Sequence, residues 1–273
     1  MLSPADGARL VRAPNLVLAA AGVVAGGWIA LREPALPSPL LWASASAIGI
    51  GAAGNVLNDI FDLLADRVNR PERPLVRGVI SVAAARWLAL AAAAGGLVAA
   101  RAAGRVVLLV GTGVLVVLVL YSPVLKVRGL LGNVTVATIA GLPLLYGALA
   151  AGDVAAGVIP LLLGAWLHLA RELAKDADDA PGDHALGRRT VATSRGTDTA
   201  RRWAAWAALA FLPASALPVV VGEYHARYLG FAAVCGVVVI WAALLLQRGE
   251  PGAPGALKVG MTVGLAGLVA GRL

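Results

Sequence analysis

The sequence predicts an all-α, polytopic membrane protein with nine transmembrane helices. Hydrophobic residues make up 59% of the chain against 14% charged residues, and the mean hydropathy is +0.82. The apolar residues also gather into runs long enough to cross a bilayer. A soluble domain of 273 residues would need far more polar surface than this. The distribution of lysine and arginine then orients the bundle.

A hydrocarbon core about 30 Å thick takes roughly 20 helical residues. Runs of that length fall at about 13–31, 39–57, 80–100, 104–122, 130–150, 154–172, 200–221, 227–246 and 256–271. The first follows Arg9 and Arg12, as a signal peptide would, but its length and the spans behind it predict an uncleaved helix. Glu33-Pro34, Pro37 and Pro39 separate it from the second run. Ser122-Pro123, Gly152-Asp153 and the segment from Gly249 to Pro254 punctuate later boundaries. Lipid cannot satisfy exposed backbone groups, so runs of this kind are helices, and no alternating barrel pattern competes. Residues 1–273 are expected to form one transmembrane domain.

With the N-terminus cytoplasmic, 18 of the 23 lysines and arginines fall on the cytoplasmic side, and only Arg32, Arg101, Arg105, Arg227 and Arg272 fall opposite. This asymmetry predicts a multi-pass protein of the cell membrane with its C-terminus outside. The net charge of +8 is dispersed between apolar segments instead of forming a patch, which argues against nucleic acid and for lipid headgroups and anionic ligands. Cys235 lies in an apolar run and is expected in the core; a lone cysteine excludes an intramolecular disulfide. Trp28, Trp42, Trp203, Trp206 and Trp241 lie near span ends. Gly22-xxx-Gly26 and Gly260-xxx-Gly264 are expected to permit close helix packing. His168 is expected to be a hydrogen-bonded structural residue.

Nine of the 15 acidic residues lie in two stretches. Asp59, Asp62, Asp66 and Glu72 occupy the first; Glu172, Asp176, Asp178, Asp179 and Asp183 occupy the second. Asp59, Asp62 and Asp66 are spaced three then four apart, and Asp176, Asp179 and Asp183 repeat that spacing. Positions i, i+3 and i+7 share one helix face. Pro181-Gly182 is expected to end the second helix before Asp183. An aspartate at the centre of a membrane helix costs roughly 2.5–3.5 kcal/mol, less near the interface. Shared divalent cations reduce both this cost and the mutual repulsion.

Two such faces opposed across a cavity make an oxygen-rich site, which favours magnesium over softer metals. Arg67, Arg73, Lys126 and Lys175 stand beside the acids and are candidates to neutralise phosphate oxygens, so the expected ligand is a diphosphate. Glu72 and Asp178 break the shared spacing and are expected to be solvated or locally paired. A transporter with a carboxylate ion site would place its acids at mid-membrane, whereas these fall at cytoplasmic span ends.

Asn58-Asp59-xx-Asp62-xxx-Asp66 with Arg73-Pro74-Leu75 and Gly78 resembles the first signature of the UbiA superfamily of intramembrane prenyltransferases. Tyr121-Ser122 with Leu125-Lys126, and Asp176-xx-Asp179-xxx-Asp183, resemble the segments that follow it. Arg171-Glu172-xx-Lys175, Gly182-Asp183, Gly187, Thr190, Gly132-Asn133 and Gly141-Leu142-Pro143 resemble the digeranylgeranylglyceryl phosphate synthase branch. The resemblance implies nine helices around a central cavity with both Asp-rich motifs at the cytoplasmic side. It implies a prenyl diphosphate donor, Mg2+, and a lipid-soluble acceptor, either geranylgeranylglyceryl phosphate or an aromatic ring. The candidate metal ligands are Asn58, Asp62, Asp66, Asp176, Asp179 and Asp183. Arg73 and Lys126 would stabilise the departing diphosphate, Asp59 would be a base or supporting carboxylate, and Arg12 and Asn15 would hold the acceptor.

Overall fold

The computed structural model describes residues 3–185 and 187–273, excluding the side chain of Val127. Nine helices among the described residues are long and apolar enough to span a membrane. They are α2 (Ala13–Leu31), α3 (Ser38–Phe61), α5 (Val82–Ala103), α6 (Arg105–Leu120, continued by a π-helical turn Tyr121–Leu125), α7 (Leu130–Ala150), α8 (Val154–Ala185), α10 (Thr197–Ala214), α12 (Arg227–Arg248) and α13 (Ala253–Arg272). Short helices α1 (Pro4–Leu10), α4 (Leu63–Asn69), α9 (Val191–Arg195) and α11 (Leu217–Val220) lie between them, and no strand occurs among the described residues.

Large apolar side chains point outward all round the bundle, among them Trp87, Val98, Leu109 and Val237, each more than two-thirds exposed. A bundle bathed in lipid has no need to hide them. The interior is held instead by small residues at helix crossings. A Cβ on Gly26 would run into the Leu144 carbonyl, and one on Gly147 would meet the Val23 backbone, so α2 and α7 touch backbone to backbone. Gly22 faces Pro143 at the same crossing. The expected close packing at Gly260 and Gly264 is not found. Cβ atoms added there would stand 3.5 and 3.8 Å from their nearest neighbours, ordinary van der Waals contact without strain. Cys235 is buried in the core with α13, as its apolar surroundings require.

The main departure from the sequence expectation is α8. It does not stop at Pro181 but continues to Ala185, with Asp183 still helical. Pro181 has no N–H to donate, yet Asn69 of α4 braces this turn from outside. Its Nδ2 donates to the Asp179 carbonyl at 2.9 Å, and its Oδ1 accepts the Gly182 N–H at 3.0 Å. All three aspartates of the second motif therefore share one helix.

Gly26→Ala is expected to lower stability by about 1–3 kcal/mol through overpacking at the α2–α7 crossing. Gly95, exposed on α5 with open space around it, accepts alanine with no loss. Thermal unfolding of both variants in one detergent checks this; equal midpoints would contradict it.

Candidate active site

The helix carrying the first motif is interrupted inside the motif. α3 ends at Phe61, Asp62 leaves helical geometry at φ −89° and ψ 2°, and α4 resumes at Leu63. Asp59, Asp62 and Asp66 remain 2%, 4% and 5% exposed, a burial that carboxylates tolerate only with partners.

Each has them. Asp59 is clamped between Arg12 at 2.5 Å and Arg73 at 3.0 Å, and Arg73 also pairs with Asp66. Arg12 is aimed by its own backbone, a left-handed φ of 55° where α1 gives way to α2. Such geometry costs a non-glycine residue of order 1–3 kcal/mol and persists where surroundings enforce it. Asp62 receives Lys126 Nζ at 2.6 Å and Asn58 Nδ2 at 2.8 Å on one oxygen. Its other oxygen lies 2.8 Å from Arg188 Nη1 but accepts no well-aligned hydrogen bond, leaving lone-pair capacity for a ligand. Lys126 reaches this position from the residue just after the π-helical turn, within which Ser122 Oγ accepts the other Asn58 N–H at 3.1 Å. Single π turns are often found at functional sites.

These partners move the two outer acids in opposite directions. Burial works to raise Asp62, but Lys126 and Arg188 outweigh it and hold the carboxyl below its ordinary range. Burial raises Asp66 to about 6; Arg73 offsets it only in part, and Asp62 and Asp59 add repulsion.

The second motif faces the first. Asp176 accepts Asn133 Nδ2 at 3.0 Å, and Asp179 pairs with Arg70 at 2.6 Å. Arg188 lies 3.3 Å from Asp183 while also contacting Asp62, so one guanidinium ties both motifs together. Asn58, Asp62, Asp66, Asp176, Asp179 and Asp183 all line one cavity of about 530 Å³. Arg12, Asn15, Arg73, Lys126 and Lys175 line it as well.

Other candidates are placed elsewhere. Asp59 does not line the cavity; it lies behind Arg12 and Arg73 and holds both arginines in place. Arg67 is exposed and does not line the cavity, because it sits on the outer face of α4; Arg70, one turn on, takes the inward place. Arg12 lines the cavity while pairing with Asp59 and Asn58. His168 lines the cavity and has no side-chain hydrogen bond among the described residues, contrary to its expected structural role. Glu72 and Asp178 are exposed. Arg70, Asn133 and Arg188 were not expected. Their spacing from the aspartates is irregular, and only the way α4, α7 and the loop after α8 converge brings them in.

No three carboxylates, histidines or cysteines among the described residues stand close enough to enclose an ion unaided. The donors are nonetheless all hard oxygens, with a free lone pair on buried Asp62. This set fits magnesium held by one or two carboxylates a side, its shell completed by phosphate oxygens.

Comparison with known proteins agrees with this geometry. The model of the UbiA prenyltransferase family matches residues 18–264. The chain belongs to the UbiA prenyltransferase family. It is therefore a prenyltransferase of a family of multi-pass membrane enzymes. It is 36% identical over 271 residues to the digeranylgeranylglyceryl phosphate synthase of Methanopyrus kandleri, covering 97% of this chain and 98% of that one. Its identity to the synthase of the same name from Ignicoccus hospitalis is also 36%, over 97% and 90% of the two chains. A solved structure of a digeranylgeranylglyceryl phosphate synthase superposes with a TM-score of 0.77 at 26% identity, covering 98% of this chain and 97% of that one. The fold is shared too with a UbiA homologue of Archaeoglobus fulgidus bound to GPP and Mg2+, at a TM-score of 0.70 and 17% identity over 97% and 99% of the chains.

Gly182 abuts the Asn69 amide so closely that an added Cβ would displace it. Gly182→Ala is expected to shift the two motifs relative to each other and to lower prenyl transfer by about 10²-fold, as misplacement of about 1 Å can do. Diphosphate release checks this, and wild-type turnover by the variant would contradict it.

Proposed function

We propose that the protein transfers a geranylgeranyl group from its diphosphate to the hydroxyl of geranylgeranylglyceryl phosphate, forming the second ether bond of isoprenoid membrane lipids. The observation that carries this reading is the division of one cavity into a charged end and an apolar remainder. Two facing aspartate sets and their cations occupy the first; Leu16, Ile50, Leu118, Ile139, Leu163 and Leu268 line the second. A prenyl diphosphate has the same division. The full-length similarity to synthases of that name supports this acceptor over an aromatic ring.

Asn58, Asp62 and Asp66 on one side, and Asp176, Asp179 and Asp183 on the other, would hold magnesium. When bound, magnesium would supply electrostatic stabilisation of the leaving diphosphate. Arg73 and Lys126, with Arg70 and Arg188, would add charge-assisted hydrogen bonds to its oxygens, while Lys175 is engaged by Glu172 at 2.7 Å. As the allylic C–O bond breaks, its electron pair goes to the diphosphate. The acceptor hydroxyl oxygen then bonds to the allylic carbon and gives up its proton. The apolar walls limit capture of that carbon by water. The excess of lysine and arginine on the motif side, 18 of 23 by the sequence topology, supports a cytoplasmic position for this end.

Purified protein with magnesium and geranylgeranyl diphosphate is expected to convert geranylgeranylglyceryl phosphate into the diether, identified by mass spectrometry. Exclusive transfer to an aromatic acid would overturn the acceptor assignment. Asp62→Ala and Asp176→Ala are each expected to lower diphosphate release by at least about 10²-fold. Protonation removes the charge on Asp66 that magnesium needs. With that carboxyl raised to about 6, the magnesium concentration for half-maximal activity is expected to climb as pH falls through this value. A magnesium requirement flat from pH 7.5 down to about 5.5 would contradict that role for Asp66.

A further inference from the structure

The cavity carries two charge centres of opposite sign. At the aspartate centre, Asp62, Asp66, Asp176, Asp179 and Asp183 line the cavity with Arg12, Arg70, Arg73, Lys126 and Arg188, and Asp59 lies behind Arg12 and Arg73, six acids against five cations in all. That centre is net negative and attracts magnesium. A second centre forms where α2, α8 and α13 meet. There Glu172 is shared by Arg171 at 3.0 Å and Lys175 at 2.7 Å, so one acid serves two cations. Lys258, projecting from the second turn of α13, adds a third. It donates to Asn15 Oδ1 at 3.1 Å, has no carboxylate within ion-pair distance among the described residues, and lines the same cavity as Arg171.

Three cations against one carboxylate leave an excess of two positive charges in a partly desolvated wall. Arg171 Nε is buried and donates to no acceptor among the described residues. Arg171, Glu172, Lys175, Lys258, Asn15 and His168 all line the same cavity as the aspartates. A lysine with no carboxylate partner in the wall of a membrane cavity is stabilised when an anion joins it.

We propose that Lys258, Arg171 and Asn15 form the binding site for a phosphate monoester on the acceptor, separate from the diphosphate site at the aspartates. A phosphate monoester carries about −1.5 to −2 charges near neutral pH and matches the excess. Lys258 is the principal contact because no carboxylate competes for it. Asn15 holds the ammonium in place, and Arg171 offers its unused Nε–H. The two phosphate-bearing substrates are thereby told apart by charge: the donor goes to the centre that gathers magnesium, and the acceptor to the centre that needs none.

The inference rests on the proposed acceptor, and its test separates the two. Wild type, Lys258→Met and Lys258→Arg, all full length in lipid nanodiscs, are assayed with magnesium and geranylgeranyl diphosphate. Geranylgeranylglyceryl phosphate and geranylgeranylglycerol, which lacks the phosphate, are offered in turn. Wild type is expected to prefer the phosphorylated acceptor by at least about tenfold in kcat/KM. Lys258→Met is expected to raise KM for it by at least about tenfold, leaving the donor KM within about twofold and transfer to geranylgeranylglycerol unchanged. Lys258→Arg restores the preference. The two deletions, of the ammonium and of the phosphate, are then non-additive. An equal loss with both acceptors, or a wild-type preference kept by Lys258→Met, would overturn the phosphate site while leaving the prenyl transfer to this acceptor intact. If wild type ignores both glyceryl acceptors and prenylates an aromatic acid, the acceptor assignment falls and this site with it.

Discussion

Burying a row of carboxylates at one end of an apolar bundle is the constraint around which this protein is built. Nothing in a lipid-facing fold compensates such charges cheaply, and removing one partner from a buried ion pair typically costs about 3–5 kcal/mol. The structure meets the constraint by bringing five cations from four separate segments. Arg12 comes from the break before α2, Arg70 and Arg73 from the loop after α4, Lys126 from the end of the π-helical turn, and Arg188 from the loop after α8. Three irregular features of the backbone lie at this site. The left-handed Arg12, the break at Asp62 and the π turn after α6 are where the chain departs from plain helices in order to satisfy the aspartates.

The same pairs poise the site for its ligands. A carboxylate held by lysine or arginine is ionised and oriented, yet it can exchange that partner for a divalent ion while the freed cation turns to the phosphate. Arg188, shared between Asp62 and Asp183, and Lys126, resting on Asp62, are placed for such an exchange. Asn69 has a different task. It fixes α4 against the Pro181 turn of α8, so the spacing between motifs does not depend on the ligands alone.

Much of this was legible in the chain. The nine spans follow from the length of the apolar runs, and the repeated three-then-four spacing of aspartates singled out both halves of the site. What escaped was whatever depends on which side chain faces inward across a tertiary contact. Arg67 and Arg70 look equivalent beside Asp66, but only the turn of α4 sends Arg70 to Asp179. Pro181-Gly182 looks like a helix end, and in isolation it would be one; an asparagine more than a hundred residues earlier in the chain supplies the missing support. Asp59 shares the face of Asp62 by periodicity, yet the two arginines that close over it take it out of the cavity. Lys258 gave no local signal because its significance lies in the absence of a neighbouring acid.

The central claim is that the two aspartate motifs act as one magnesium-dependent site for a diphosphate. A double-mutant cycle on the binding of a non-ionising thiolodiphosphate analogue of geranylgeranyl diphosphate tests it most directly. Calorimetry would be run with and without magnesium on wild type, Asp62→Asn, Asp176→Asn and the double variant. The account predicts tight binding only with magnesium. It further predicts that each single change costs nearly as much as both together, since either one disrupts the shared bridge. Binding that survives metal removal, or losses that simply add, would contradict a single site built from both motifs.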